Sequence, residues 1–248
     1  MKQLSVIILT HNSQELISIC LNSVKSADEI VIIDDFSTDQ TLGLAKPFKA
    51  KIVQHKLTDF AAQRNFGMKQ VTSSWVLFLD SDEQVPPKLF AEIKLVIRAA
   101  SHSAYRIKRL NYFFNQAVKH GGYWPDWQTR LFKVADFQKF TGAVHETPHY
   151  SGSLGSLETH LIHYSHQSLA QGLEKSLVWT KKEAEEFIKA GHPPITWWRI
   201  IKVMVWEFCS RYFKKKGFLD GYVGFIESLI QAINRFFVYQ QIWELQPK

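Results

Sequence analysis

Three apolar runs of strand length, each ending abruptly in polar or acidic residues, restrict this chain more than any other feature. Leu4-Ser-Val-Ile-Ile-Leu9 runs into Thr10-His11-Asn12, Glu29-Ile-Val-Ile-Ile-Asp34 into Asp35, and Trp75-Val-Leu-Phe-Leu-Asp80 into Ser81-Asp82-Glu83. Short, nearly continuous apolar runs belong to strands covered on both faces. Between them, residues 13–26 place Leu16, Ile19, Cys20, Leu21 and Val24 on one helical face, and Ser37, Thr38 and Asp39 offer N-cap chemistry. A third short strand is predicted over Lys51–Gln54, a helix from Phe60 to Val71, and another from Pro86-Pro87 toward Ala100. Such alternation predicts βαβ units and a mostly parallel sheet flanked by helices.

From Ala104 to about Tyr164 the pattern changes to extended pieces broken by glycines and aromatics, such as Tyr105–Lys108 and Thr129–Phe132. These read as antiparallel strands and loops completing the same domain. After Ser168 the chain is helical, with a break at Gly191-His192-Pro193-Pro194. The expected organisation is one α/β domain over 1–167 and a helical extension over 168–248.

Bulk properties narrow the class. With 46% hydrophobic and 21% charged residues and no biased tract, the chain is a folding one. Its formal net charge of +7 is uneven, because Arg199, Lys202, Arg211, Lys214, Lys215 and Lys216 face the single acid Glu207 between Thr196 and Leu219. That segment predicts a local anionic partner. Cys20 and Cys209 fit no metal or disulfide spacing and read as free thiols of a reducing compartment. No secretory leader and no apolar stretch of about 18 residues is seen, so a cytoplasmic protein without a spanning helix is expected.

The chemistry concentrates at the strand ends. In an open α/β sheet, ligands bind beyond the carboxyl ends of the strands. Asp80-Ser81-Asp82 places two carboxylates there, where a hard cation and a diphosphate can meet. The structural alternative is a solvated turn whose Asp82 or Glu83 caps the helix after Pro86. Asp34 and Asp35, with Thr10 and Asn12 beside them, supply partners for a base and ribose, or else cap the next helix.

Ser5–Asn12, Ile33–Asp39, Gln63-Arg64-Asn65 and Leu79–Glu83, in this order, resemble the ordered motifs of inverting family 2 glycosyltransferases of the GT-A fold. The resemblance covers roughly residues 4–165. It implies a Rossmann-like mixed sheet flanked by helices, with Thr10, Asn12, Asp34 and Asp35 lining a nucleoside pocket. It further implies that Arg64 approaches the uracil or the phosphates, and that Asp80 and Asp82 hold Mg²⁺ or Mn²⁺. For Arg64 the alternative is a salt bridge on a helix surface. Trp124–Phe132, which contains Asp126 and Arg130, then Gly142–Glu146 and His163-Tyr164, resemble a branch containing lipopolysaccharide core glucosyltransferases. Arg130 joins the donor site by the same likeness. An inverting transfer needs a carboxylate base, for which Glu146 is the first choice and Asp126 the second. His145 or His163 completes the metal shell, unless each is a hydrogen-bonded structural histidine.

The expected partners are a nucleotide-sugar donor and a glycan or glycolipid acceptor; a polyprenyl phosphate or protein acceptor, or a non-catalytic binding role, is the alternative. No nucleic acid is expected, since no reading motif is present. His145-Glu146-Thr147-Pro148-His149 matches a zinc-protease pattern that requires a helix, which Pro148 and the surrounding glycines oppose. In the amphipathic extension, Trp197, Ile201, Met204, Phe208 and Tyr212 form one stripe, and Ile226, Ile230, Ile233 and Phe237 a second. Segment 196–245 therefore either lies on an anionic membrane surface, peripherally on the cytoplasmic face of the inner membrane, or packs internally, or forms a dimer contact.

Overall fold

In the computed structural model, which describes residues 2–142 and 146–246, the apolar runs become the centre of a sheet. The first stretch of chain forms β1 (Leu4–Thr10), α1 (Ile17–Val24), β2 (Glu29–Asp34), α2 (Thr41–Ala45), β3 (Lys51–Gln54), α3 (Phe60–Met68) and β4 (Trp75–Asp80). It continues through β5 (Glu83–Gln84), α4 (Pro87–Ala99), β6 (Ala104–Phe113), β7 (Gln116–Val118), β8 (Asp126–Lys133), β9 (Phe137–Thr141), β10 (Thr147–Tyr150) and β11 (Leu154–His166). The helices α5 (Leu169–Lys189), α6 (Trp197–Cys209) and α7 (Gly221–Leu245) follow.

The sheet order is β3-β2-β1-β4-β8-β6-β11-β5, with β7 paired to β6 and β9-β10 a separate antiparallel pair. The first four strands are parallel, and β8 then joins β4 in the antiparallel sense. This is the mixed GT-A-type sheet expected from the sequence. Alternation along β1 explains its burial on both faces. Leu4, Val6 and Ile8 join α1 and α4 in one core, whereas Ile7 and Leu9 join Ala61, Phe78, Phe132 and Phe140 in the other.

By internal contacts the chain divides into two units, residues 1–109 with 126–163, and residues 110–125 with 164–248. The second unit thus takes in a hairpin, part of β6 with β7, that lies within the 1–167 expected for the first. Within it, α7 buries Val223, Gly224, Glu227, Ser228, Ile230, Ala232, Val238 and Ile242. Of the stripe expected on α7 only Ile230 is buried, because three small residues, Gly224, Ser228 and Ala232, and the hydrogen-bonded Glu227 occupy the packed face instead.

Candidate active site

The register of the parallel strands builds a rim. Thr10 stands opposite Asp34 and Leu9 opposite Asp80, at the carboxyl ends of β1, β2 and β4. The Thr10 carbonyl accepts the Asp35 N–H at 3.0 Å. Its buried hydroxyl has no hydrogen-bond partner among the described residues. Asn12 adopts a left-handed backbone (φ +45°), a region asparagine enters readily. There its N–H donates to Ser37 Oγ at 2.9 Å and its Oδ1 accepts the Thr38 N–H at 2.8 Å, joining the loops after β1 and β2. Asp34 is buried and accepts from the Ser37 N–H, the Ser37 hydroxyl and Gln54 Nε2. Its carboxylate therefore builds the loop. Burial by itself would raise the Asp35 carboxyl, but the Leu57 N–H and Lys56 Nζ, at 3.0 and 3.1 Å, hold it below its ordinary value. Neither Asp34 nor Asp35 caps α2, whose N-cap is Gln40 without a side-chain bond; Asp39, one residue earlier, accepts the Thr41 N–H at 2.9 Å.

Next to this loop pair, charges alternate along a continuous path. Arg64 Nε donates to Glu146 Oε1 at 3.1 Å and Arg64 Nη2 to Asp80 Oδ1 at 3.0 Å. Arg130 Nη2 reaches Asp80 Oδ2 at 2.6 Å and Glu83 Oε1 at 3.0 Å. Arg109 then lies 3.5 Å from Glu83 and donates to Asp126 Oδ2 at 2.8 Å. Four carboxylates thus enclose three guanidinium groups. Burial would raise the Asp80 carboxyl; Arg130 and Arg64 outweigh it and hold the group well below the usual carboxylate range. Arg64 is only 2% exposed, so a helix-surface salt bridge does not describe it. Arg64 Nη1 and Arg130 Nε are buried donors with no hydrogen-bond partner among the described residues. Unused guanidinium donors beside a strand rim are suited to phosphate oxygens.

Local structure explains how these side chains arrive. Helix α3 starts at Asp59, whose side chain caps the Ala62 N–H at 2.7 Å. Gln63 clamps His55 through two hydrogen bonds, and Asn65 exchanges two with the backbone of Phe140. The amides flanking Arg64 thus fix the helix, and Arg64 lies against the rings of Phe78 and Phe140. Strands β6 and β8 carry a bulge: Tyr105 pairs with Leu131 but Arg106 with Thr129, so Arg130 is the extra residue. Bulges re-aim side chains, and this one serves Arg130. Beyond it, Arg109 and Asp126 are direct cross-strand partners.

Asp82 lies 3.5 Å from His163 Nε2, a proximity set by the pairing of β5 with β11. Oxygen and imidazole donors suit a Mg²⁺ or Mn²⁺ that completes its shell with water and phosphate oxygens. Among the described residues no cluster of three or more His, Cys, Asp or Glu side chains is present that would hold an ion alone. Asp82 and His163 are the pair here that could hold such a cation, whereas both oxygens of Asp80 already accept from guanidinium groups.

The structure thus gathers Arg64, Asp80, Arg130, Glu146 and Asp126 into one network and sets Thr10, Asn12, Asp34 and Asp35 along the adjoining rim. It also supplies two members that the sequence did not disclose, Glu83 and Arg109. Neither Asp82 nor Glu83 caps α4, whose N-cap is Pro86 without a side-chain bond. The acidic run after β4 was the available signal for Glu83, but its partners depend on strand pairing. His145 lies outside the described residues. Residues 147–150 form a strand, and His149 bonds Thr141 Oγ1 at 2.7 Å, so no helical metal-binding face forms there. His160, His163 and His166 all lie on β11, where spacing by three alternates the faces.

Glycosyl transferase family 2 matches residues 5–161 of this chain. An uncharacterized glycosyltransferase of Rickettsia typhi is 29% identical, covering 100% of this chain and 89% of the relative. The lipopolysaccharide core biosynthesis glycosyltransferase LpsC of Rhizobium meliloti is 24% identical over 97% of this chain and 92% of its own length. Among solved structures, S. aureus TarS superposes with a TM-score of 0.50 at 18% identity, over 94% of this chain and about half (49%) of TarS. That likeness concerns the fold.

Proposed function

Because the chain belongs to glycosyl transferase family 2, and is thus a glycosyltransferase, we propose that it transfers a sugar from a UDP-sugar, with inversion, to a lipid-anchored glycan. The observation that carries this reading is the sharing of one guanidinium, Arg64, between Asp80 at the strand rim and Glu146. A carboxylate next to the donor site is what an inverting transfer needs. The acceptor hydroxyl attacks the anomeric carbon and Glu146 takes its proton. The bond from that carbon to the diphosphate breaks, and its electron pair leaves with the nucleoside diphosphate. Arg64 and Arg130 offset the charge that builds on the leaving group. When bound at Asp82 and His163, Mg²⁺ or Mn²⁺ adds positive charge to that same diphosphate. Asp126 is the weaker candidate for the base, since it sits at the far end of the network and its oxygens accept from Arg109 and Gln128.

Thr10 and Asn12, with the loop that Asp34 and Asp35 hold in place, face the nucleoside. The acceptor class follows LpsC, whose name places it in lipopolysaccharide core biosynthesis. A lipid-anchored acceptor puts the reaction at a membrane, on the cytoplasmic face where nucleotide-sugars are made. No helix of the described residues is long and apolar enough to cross one.

Thermal-shift titration with UDP-sugars, with and without Mn²⁺, tests the reading, because a ligand bound only by the folded state raises its melting temperature. A shift with at least one UDP-sugar, enlarged by Mn²⁺, is expected; stabilisation by no nucleotide-sugar would overturn the proposal. Glu146→Gln should keep that shift and lose at least about 100-fold in transfer. Undiminished turnover would move the base elsewhere.

A further inference from the structure

Helix α6 is turned inside out for a helix of a folded protein. Its inward residues Met204 and Phe208 are only half-buried, while Trp197, Trp198 and Trp206 are 75%, 52% and 64% exposed. Trp198, Ile201 and Val205 follow one another at helical spacing on that open face, and Lys202 stands beside them. The segment after α6 continues the pattern: Phe213, Phe218, Leu219 and Tyr222 are exposed, with exposed Lys214, Lys215 and Lys216 among them. Contiguous apolar surface of this kind marks a binding surface.

The charge around it selects the partner. Between Trp197 and Ser228 the acids are Glu207, Asp220 and Glu227. Glu207 is paired with Arg211 at 2.6 Å. Asp220 is buried and accepts from His120 and the Lys119 N–H, and Glu227 is buried against His166 and Tyr123. Among the described residues 197–228, the fully exposed charged side chains are therefore Lys202, Lys214, Lys215 and Lys216, with the half-buried Arg199 adding to the same sign. Two such faces would repel one another, which disfavours a second copy. Tryptophan and tyrosine favour the headgroup layer, and lysine favours anionic headgroups while its stem lies along apolar surface.

We propose that the outer face of α6 and the lysine-rich turn following it form a docking surface for an anionic lipid bilayer, on which the helix lies flat with its tryptophans at headgroup depth. The inference does not depend on sugar transfer, and its assay uses no donor.

Sedimentation with vesicles of phosphatidylcholine, with and without phosphatidylglycerol, tests it on the full chain. Binding should require phosphatidylglycerol and weaken as salt rises. Replacing Lys202 and Lys214 by Gln and Lys216 by Asn removes three cationic side chains and should lower the partition coefficient about 100-fold. Asparagine suits position 216 because that backbone is left-handed (φ +57°). Trp198→Ser with Trp206→Ser should lower binding by at least about 10-fold, from the lost apolar area. Both variants alter exposed side chains, so unchanged circular dichroism and melting are expected and serve as the folding control. Vesicle binding that both variants retain would overturn the proposal, as would no binding at all. It would equally be overturned if sedimentation velocity showed a dimer dispersed by the tryptophan changes, or if the surface bound duplex DNA in preference to the vesicles.

Discussion

A carboxylate as enclosed as that of Glu83 is costly to keep charged unless its oxygens are fully used. Glu83 is 1% exposed, and it accepts the Asp80 N–H at 3.0 Å as well as Arg130, with Arg109 nearby. It thereby fixes the backbone of Asp80 while holding the arginine that Asp80 also binds. Glu83→Gln puts an amide where two guanidinium groups expect a charge, and leaves buried cations under-compensated. Urea unfolding should show a loss of about 3 kcal/mol. The KM for nucleotide-sugar should rise as well, since Arg130 is no longer held; a purely structural role would lower stability alone. Cys20 reports on the same spot. Burial, and then Glu83, Asp82 and Asp80, push its thiol up, and its Sγ lies 3.7 Å from the Asp80 carbonyl. In native protein at mild alkaline pH, iodoacetamide should therefore label half-buried Cys209 long before Cys20, as peptide mass spectrometry would show.

The elements differ in how openly they announced themselves. Strands β2 and β4 fall where the sequence placed them, because runs apolar on both faces allow few other structures, and the short edge strand β3 also forms over Lys51–Gln54. The periodicity predicts the first helix over 13–26; it forms over Ile17–Val24, preceded by a turn in which the Ser13 carbonyl accepts the Leu16 and Ile17 N–H groups. The stripe on α7 misled for a different reason. Periodicity counts apolar residues, but this helix packs through Gly224, Ser228 and Glu227, whose fit depends on neighbours that sequence does not name. At the site, residues on the strand ends were readable, whereas Arg109 and Glu83 became meaningful only through the bulge in β8 and the β5–β11 pairing. At the opposite end of the sheet, Glu29 ties β2 to β1 and to the turn before β4, accepting from Ser5, Lys2 and Thr72. Burial would raise its carboxyl, but these donors lower it to about 2. A depressed carboxyl contributes stability above its unfolded pKa of about 4.3 and loses it as pH falls toward the folded value. Glu29→Gln should cost on the order of 2 kcal/mol at neutral pH and flatten the acid limb between about pH 4 and 2. Thermal melts across that range would check the sign.

The molecule as a whole carries separate cores in its two units. In the second, a Cβ on Gly224 would come within 2.0 Å of the Gly217 carbonyl, so α7 and the turn before it meet backbone to backbone. Gly224→Val should open this contact, and hydrogen exchange should quicken in α6 and α7 while β1, β2 and β4 stay protected. Uniform quickening throughout would argue for a single cooperative body. The first unit has a different dependence, set by its alternating charges. Their links from Arg64 to Glu146 and from Asp80 to Arg130 join segments 82 and 50 residues apart along the chain. Contacts between such distant segments close slowly, because each closure spends chain entropy before it is rewarded. During refolding, tryptophan signals of the sheet should recover first and sugar transfer last, so catalytic competence becomes a late certificate that this half of the protein has been finished.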